Sequence, residues 1–361
     1  MLMLVVSERL NLRSGPSISE QKLRLLLAGE LVEQLGCEAV VGGKTWLQIR
    51  AAKDGLVGWA VADYLYVPLP PIVPNIRTKA VGIHVAGSGD IGDLLGVAQR
   101  LHWAGTPIPL IVVVSDPGLC QRIKDVSPKT VVVYRWVASS EDSGPFDNLK
   151  ADGTGTVADP YLWYYRLMAR HSQAIGADFH QMYNECSFGG NAQSLFYAQR
   201  VSDFELALMR RADLDGIKIT VGNYMPGVPE QHHIAVMRST FAYAEAHGHA
   251  LCYHAYTNRD ADATFGNAAE WYALRWVPFV KDFPRLKVIL GEAGHYNSPR
   301  FRGRDDMLRM MAELEGLLMP LRQSGRDVRA AYWTIRGQKD VSWSVDDWTP
   351  YLADYEAWMK G

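Results

Sequence analysis

The feature that most constrains the fold is an alternation of strand-like and helix-like segments over residues 77–361. Eight segments have the composition of buried strands, and some, such as LIVVVS and TVVVYRWV, are apolar almost throughout. Parallel strands that are covered by helices on both faces have this composition. The pattern predicts an α/β domain, a (β/α)8 TIM barrel. The predicted strands are 80–86, 109–115, 130–137, 178–185, 217–224, 250–257, 287–293 and 330–335.

A doubly wound parallel sheet is the competing fold for the same alternation. That fold binds its ligand at a glycine-rich turn after the first strand. Residues 85–90, VAGSGD, approximate such a turn only weakly. The barrel is therefore the favoured architecture.

A proline-rich stretch separates this region from a smaller N-terminal part. Four prolines lie within residues 68–76. Proline at this density cannot continue a helix or a central strand and favours an extended spacer. We therefore expect a small domain over residues 1–67, a linker over 68–76 and the barrel over 77–361.

The N-terminal module has short strand-like runs separated by glycine and serine, which predicts a small all-β barrel. It contains LNLRSGP at residues 10–16, GWA at 58–60 and DYL at 63–65. These motifs resemble those of the bacterial SH3-like domain. The resemblance implies a module that binds cell-wall peptide or glycan. The alternative is a module that only docks on the larger domain.

Composition excludes several classes of protein. The chain has 37 Lys and Arg against 39 Asp and Glu, which argues against a protein that chiefly binds nucleic acid. Its four cysteines are far apart, so neither a disulfide framework nor a zinc ribbon is expected. No apolar run approaches the roughly 20 residues that span a bilayer, so membrane insertion is not expected. His232-His233 and His247-x-His249 lack the spacing of a catalytic metal motif, and we expect neither a metal nor a cofactor.

Polar and aromatic residues follow the ends of the predicted strands. Such side chains are costly in a core without partners, and the active site of a TIM barrel lies where its strands end. We therefore predict a site at this face of the barrel. Its candidate residues are His84, Arg135, Asn184, Glu185, Tyr224, His254, Tyr256, Glu292 and Trp333.

Two of these candidates are carboxylates on strands that face each other across a barrel. Glu185 ends the fourth predicted strand in QMYNEC, and Glu292 ends the seventh in VILGEAG. Two carboxyl groups beside a cleft can divide the roles of acid and nucleophile in glycoside hydrolysis. The alternatives are structural: Glu185 could cap a helix or pair with Arg135, and Glu292 could form an ion pair at the rim.

Asn184-Glu185 on strand four, with Glu292 on strand seven, resembles the retaining TIM-barrel glycoside hydrolases of clan A. The resemblance implies that Glu185 is the general acid/base and Glu292 the nucleophile. It also implies that Asn184 binds the 2-hydroxyl of the sugar and that Tyr256, in the His254-x-Tyr256 motif, positions the nucleophile. Trp333 resembles the strand-eight tryptophan that lies beneath the sugar.

The chain departs from this clan at the end of strand two. The arginine usual there is not evident, and Ser115-Asp116 occupies its place. Arg135, at the end of strand three, could substitute for it by reaching Glu292. The departure leaves open which cation stabilises Glu292 as the nucleophile.

The resulting hypothesis is a retaining glycoside hydrolase that cleaves a polysaccharide or a cell-wall glycan such as peptidoglycan. One alternative is a non-catalytic glycan- or wall-binding protein on a degenerate barrel, and a less favoured one is a barrel hydrolase of a wall amide. We expect the protein to act outside the cell or at the cell wall. The N-terminus shows no signal peptide, which leaves a cytoplasmic or phage-borne origin open. Oligomeric state is not indicated.

Overall fold

The computed structural model describes most of the chain, and its backbone is placed in the following ranges. They are residues 2–7, 9–27, 29–67, 78–86, 91–136, 144–150, 152–186, 195–226, 228–256, 269, 273–294, 303–335 and 349–361. Side chains are not described for Leu2, Gln231 and 333–335. The predicted linker, 68–76, lies outside the described residues.

The N-terminal module is an antiparallel sheet of seven strands. Its strands are β1 (Leu2–Val5), β2 (Arg9–Arg13), β3 (Lys22–Leu27), β4 (Leu31–Val41), β5 (Lys44–Ala51), β6 (Val57–Val61) and β7 (Leu65–Tyr66). They lie in the order β3-β2-β6-β5-β4-β1-β7 across the sheet. The sheet encloses its own apolar core, which includes Leu12, Leu26, Val32 and Ile49. The predicted all-β module is therefore confirmed.

The second part is a closed barrel of eight parallel strands, in which each strand pairs with its neighbours in chain order. The strands are β8 (Val81–Ala86), β9 (Leu110–Val114), β10 (Val131–Arg135), β11 (Phe179–Gln181), β12 (Ile219–Tyr224), β13 (Ala250–Tyr256), β14 (Lys287–Gly294) and β15 (Val328–Ile335). Each matches one predicted strand to within a few residues. The predicted TIM barrel is confirmed.

Helices cover the outside of the barrel. They are α1 (Leu94–Trp103), α2 (Pro117–Val126), α3 (Pro160–His171), α4 (Leu195–Leu214), α5 (Ile234–His247), α6 (Arg304–Gln323) and α7 (Leu352–Lys360). Local sequence fixes several of their ends. Asp159 caps α3 by accepting bonds from the first backbone amides, and Pro160 occupies the first helical position. Gly248, at φ 75°, ends α5 in the left-handed conformation that glycine adopts without strain.

The barrel strands have two apolar faces. Inward side chains such as Val112, Val133 and Ile289 form a small cluster inside the barrel. Outward side chains such as Val113 and Leu290 join a large cluster with the surrounding helices. Strands buried on both faces explain the nearly continuous apolar runs in the sequence.

The N-terminal module packs directly against the barrel. Leu4, Val6 and Tyr66 belong to the same buried cluster as the barrel and its helices. The Tyr66 ring meets the Phe283 ring edge-on, with 5.3 Å between centroids. Phe283 lies shortly before β14, so this contact is on the side of the amino ends of the strands. The module is thus attached at the opposite side from the predicted site.

Within the described part of the chain, we find no helix that has both the length and the hydropathy to cross a membrane.

Candidate active site

Six of the predicted site residues come together at the carboxyl ends of the barrel strands. Hydrogen bonds, ion pairs and electrostatic interactions link them into one group. They are His84 on β8, Arg135 on β10, Glu185 after β11, His254 and Tyr256 on β13, and Glu292 on β14. The group lies in the barrel mouth that the sequence predicted.

A bulge directs Glu292 into the mouth. Tyr253 pairs with Leu290 and His254 pairs with Glu292, which leaves Gly291 as an extra residue in β14. Side chains alternate along a strand, and one extra residue reverses which face the following side chains occupy. Ile289 points into the barrel, and without the bulge Glu292 would point outward. A Cβ atom at Gly291 would lie 2.7 Å from Cys252 Sγ, so a side chain at this position would displace either β14 or Cys252.

Glu292 is buried and held from two sides. Arg135 Nη1 donates to its Oε1, and the Tyr256 hydroxyl donates to its Oε2. Burial favours the neutral acid, but the charges of His254 and Arg135 outweigh it and hold the pKa of Glu292 below the usual value. Glu292 is therefore an ionised carboxylate with a fixed orientation.

His254 lies between the two glutamates. Its Nδ1 is 2.9 Å from Glu185 Oε1 and 3.4 Å from Glu292 Oε2. Complete burial disfavours the charged ring, but Glu292, a hydrogen bond with Cys252 and Glu185 together raise the pKa of His254 to about 10. His254 is therefore an imidazolium at neutral pH, and the proton on its Nδ1 lies between the two carboxylates.

Glu185 is the more accessible of the two carboxylates. Its side chain is 25% exposed, compared with 6% for Glu292. Burial raises its pKa, but the hydrogen bond from His254 outweighs this and holds the pKa below the usual value. The backbone of Glu185 has φ 34°, a left-handed conformation that is strained for a residue with a side chain. Strain of this kind clusters at functional sites.

His84 completes the group from β8. It is fully buried, and desolvation lowers its pKa to about 3, with further lowering by Arg135 and His254. His84 is therefore a neutral imidazole at physiological pH. It supplies hydrogen-bonding capacity beside Glu292 and adds no charge.

At the end of strand two, Ser115-Asp116 stands in place of the usual arginine, and Ser115 helps to position Arg135. Ser115 has φ 63°, and its backbone N–H donates to the carbonyl of Arg135 at 2.9 Å. Asp116 accepts a bond from Leu119 N at 3.2 Å and caps α2. The end of β9 thus anchors the backbone of Arg135, while Arg135 itself provides the cation at Glu292.

Asn184 lies next to this group and is half-buried. The side-chain nitrogen of Gln181 is 3.4 Å from Asn184 Oδ1 and donates to the Tyr183 carbonyl at 3.2 Å. Gln181 was not among the predicted site residues. Phe179 points into the barrel, and Gln181 lies two positions later on the same strand, so its side chain also points inward. This alternation is the sequence signal that could have identified Gln181.

Tyr224 is not part of the group, and its expected contact with substrate needs correction. A bulge at Asn223 turns the fully buried Tyr224 side chain to the outside of the barrel. Its hydroxyl lies 3.4 Å from Glu205 Oε2 on α4. The other predicted site residue, Trp333, has a side chain outside the described residues.

The described residues bring together a single group of three side chains that could hold a metal ion. One oxygen each of Glu185 and Glu292 and a ring nitrogen of His254 all lie within 4.8 Å of one another. His254 donates a hydrogen bond to the Glu185 carboxylate, and Arg135 and Tyr256 donate to the Glu292 carboxylate. The donor set as arranged is thus satisfied by protons, and the absence of a metal remains a prediction.

A comparison with known protein families finds a match in the N-terminal module. Residues 8–66 match the family described as the bacterial SH3 domain. The predicted SH3-like module is confirmed. A comparison of the chain with curated proteins finds no match.

Solved structures similar to this chain include enzymes that act on polysaccharides. A GH5-4 broad-specificity endoglucanase from an uncultured bacterium has 12% identity and a TM-score of 0.48, covering 82% of this chain and 96% of that chain. A β-mannanase from Thermomonospora fusca has 12% identity and a TM-score of 0.44, covering 83% and 85%. An endo-β-1,4-glucanase from Xanthomonas axonopodis pv. citri has 12% identity and a TM-score of 0.45, covering 78% and 98%.

Proposed function

We propose that the barrel is a retaining glycoside hydrolase with Glu185 as general acid/base and Glu292 as nucleophile. The observation that carries this proposal is the spacing of the two carboxylates across the mouth, where one oxygen of each lies within 4.8 Å of the other. Retaining enzymes place their carboxyl groups about 5 to 5.5 Å apart, whereas inverting enzymes leave about 6.5 to 9.5 Å for a water molecule. Oxygens that approach this closely fit the retaining arrangement better than the inverting one, and they favour direct attack by Glu292.

The first chemical step breaks the glycosidic bond. Glu292 attacks the anomeric carbon and forms a covalent glycosyl ester, while Glu185 protonates the departing oxygen. The resting site holds this proton on His254 Nδ1, 2.9 Å from Glu185 Oε1. His254 therefore supplies the proton that Glu185 delivers, and the ring becomes neutral.

The second step restores the enzyme. Glu185 takes a proton from a water molecule as that water attacks the anomeric carbon and releases Glu292. The proton returns to His254, so the step balances without a cofactor. The greater exposure of Glu185 supports this role, because both the leaving group and the water approach from the open side of the mouth.

Arg135 and Tyr256 act through Glu292. Both donate hydrogen bonds to its carboxylate oxygens. These bonds keep the nucleophile ionised and fix its direction of attack. Asn184, next to Glu185, is assigned to the 2-hydroxyl of the sugar, as the resemblance to clan A implies. The contact of Arg135 with Glu292 favours a catalytic barrel over a degenerate, non-catalytic one, because it supplies a cation to the nucleophile although the usual strand-two arginine is missing.

The SH3 domain favours a polysaccharide of a bacterial cell wall as substrate. Attaching a wall-binding module to a hydrolase raises its effective concentration on an insoluble glycan. Because the module packs against the barrel through Tyr66, it would hold the barrel in one orientation relative to the wall that it binds. This substrate assignment would also place the protein outside the cell or at the wall.

The test is the release of reducing ends from a panel of glycans that includes purified peptidoglycan. Wild type, Glu185→Gln and Glu292→Gln are compared. We expect wild type to cleave at least one glycan and Glu292→Gln to lose all measurable activity. Glu315→Gln is the matched control, because Glu315 is a buried glutamate that bonds the amides of Ala80 and Val81 at the amino end of β8. Equal activity of wild type and Glu292→Gln would overturn the assignment of the nucleophile.

A further inference from the structure

Glu205 is a buried carboxyl outside the barrel wall that the proposed reaction does not use. It lies on α4 and is completely buried. Its oxygens accept from the Tyr183 hydroxyl and from the backbone N–H of Gly222 at 2.6 Å, and the Tyr224 hydroxyl lies 3.4 Å away. All three donors are neutral groups. Their hydrogen bonds lower the pKa of Glu205, but burial has the larger effect and raises that pKa to about 7. A buried carboxyl is costly, which calls for an explanation of its place.

The partners of Glu205 flank the residues of the candidate site. Tyr183 immediately precedes Asn184-Glu185 in the chain. Gly222 and Tyr224 stand on either side of the bulged residue Asn223 on β12. One carboxyl group therefore joins the turn that carries the acid/base to the neighbouring barrel strand.

The same turn is tied to β12 on its other side. Cys186 N–H donates to the Asn223 carbonyl at 3.2 Å. Glu185 is thus held between two attachments, Tyr183 before it and Cys186 after it. Its left-handed backbone, at φ 34°, persists only where the surrounding structure enforces it.

We propose that Glu205 is a positioning residue that holds the Asn184-Glu185 turn, through the Tyr183 hydroxyl and β12, in the geometry that directs Glu185 towards His254 and Glu292. This inference rests on the proposed function for its catalytic meaning, although the geometry that it asserts does not depend on activity. Glu205 touches neither the substrate nor the reacting atoms. Its effect reaches the site through the backbone of the turn.

The test compares Glu205→Gln and Tyr183→Phe with wild type in two measurements. The first is NMR titration of the protein labelled with [15N]histidine, in which the His254 signals are assigned with the His254→Gln variant. Both variants release the turn, so Glu185 moves away from Nδ1 and the pKa of His254 falls by about one unit or more. The second is steady-state kinetics on a glycan that wild type cleaves, where we expect kcat to fall at least tenfold with a smaller change in KM.

Glu315→Gln is the control for a merely structural effect. It also removes a buried helical carboxylate that binds backbone amides, but at the amino end of β8. We expect it to lower stability and to leave both kcat and the His254 titration unchanged. If Glu205→Gln does not fold, Tyr183→Phe decides the question alone.

Two outcomes separate this inference from the proposed function. A folded Tyr183→Phe variant with the His254 titration and kcat of wild type would overturn the role of Glu205. Wild type that cleaves no glycan would instead overturn the proposed function, and the NMR titration would still show whether Glu205 positions Glu185.

Discussion

The Nδ1 atom of His254 lies 2.9 Å from Oε1 of Glu185. Because the pKa of His254 is raised to about 10 and that of Glu185 is lowered, the proton of this pair resides on the imidazole at neutral pH. A lone glutamic acid in a glycosidase must have its own pKa raised to remain protonated. Here the neighbouring ring stores the proton that the glutamate delivers.

This arrangement predicts an unusual pH profile. Loss of the proton requires the pH to rise through the pKa of His254, so kcat/KM should stay level through neutral pH and fall only near pH 10. In His254→Gln the proton must be held by Glu185 itself, and the alkaline limb should move down by several pH units. The measurement is kcat/KM from pH 5 to 11 on one glycan substrate. A wild-type alkaline limb near pH 6 would contradict the role of His254.

Arg135→Met should destabilise the protein and inactivate it. The substitution removes the cation on the buried Glu292 carboxylate, and breaking a buried ion pair costs about 3 to 5 kcal/mol. Activity should fall at least about a hundredfold, since the nucleophile loses its orientation. The matched control is Arg50→Met, which removes an exposed pair with Glu33 and should cost less than about 1 kcal/mol. Urea unfolding measures both, and equal costs would contradict the buried pair.

Gly291→Ala should inactivate the enzyme through the bulge. The added Cβ would lie 2.7 Å from the buried Cys252 Sγ, and we expect β14 to shift and Glu292 to turn with it. Cys252→Ala removes the obstructing atom, and the double variant should recover activity towards that of Cys252→Ala alone. Gly316→Ala, on α6 with open space around it, should stabilise the protein by about 0.5 to 1 kcal/mol. Full activity of Gly291→Ala would show that the bulge does not orient Glu292.

Tyr66→Ala should weaken the attachment of the SH3 domain to the barrel. The ring is buried against Phe283, and truncation of a buried aromatic side chain costs about 3 to 5 kcal/mol. Tyr64→Ala is the control, because that ring is 38% exposed and should contribute little. We expect wild type and Tyr64→Ala each to unfold in a single calorimetric transition and Tyr66→Ala to unfold in two. One unchanged transition in both variants would contradict a packed interface.

Sequence periodicity was sufficient for the fold, because buried parallel strands leave long apolar runs that few other structures produce. It was also sufficient to collect Glu185, His254 and Glu292, since the carboxyl ends of barrel strands meet at one face. It failed where a local irregularity changes which way a side chain points. Tyr224 follows the bulge at Asn223 and turns outward, an effect that no residue pattern indicated.

The contacts between distant segments were likewise beyond the sequence. Arg135 could be proposed as a partner of Glu292, but only the structure shows the contact. Glu205 lies within an ordinary amphipathic helix, where a single glutamate is usually solvated. Its burial depends on the donors of β12 and of the turn after β11, which are remote in sequence.

The most direct test of the account is the anomeric configuration of the first product, followed by 1H NMR in the first minutes of hydrolysis of a glycan that wild type cleaves. The closeness of Glu185 and Glu292 predicts a product that initially has the same configuration as the substrate. Initial formation of the opposite anomer would contradict it, since inversion requires a water molecule between the substrate and the second carboxylate.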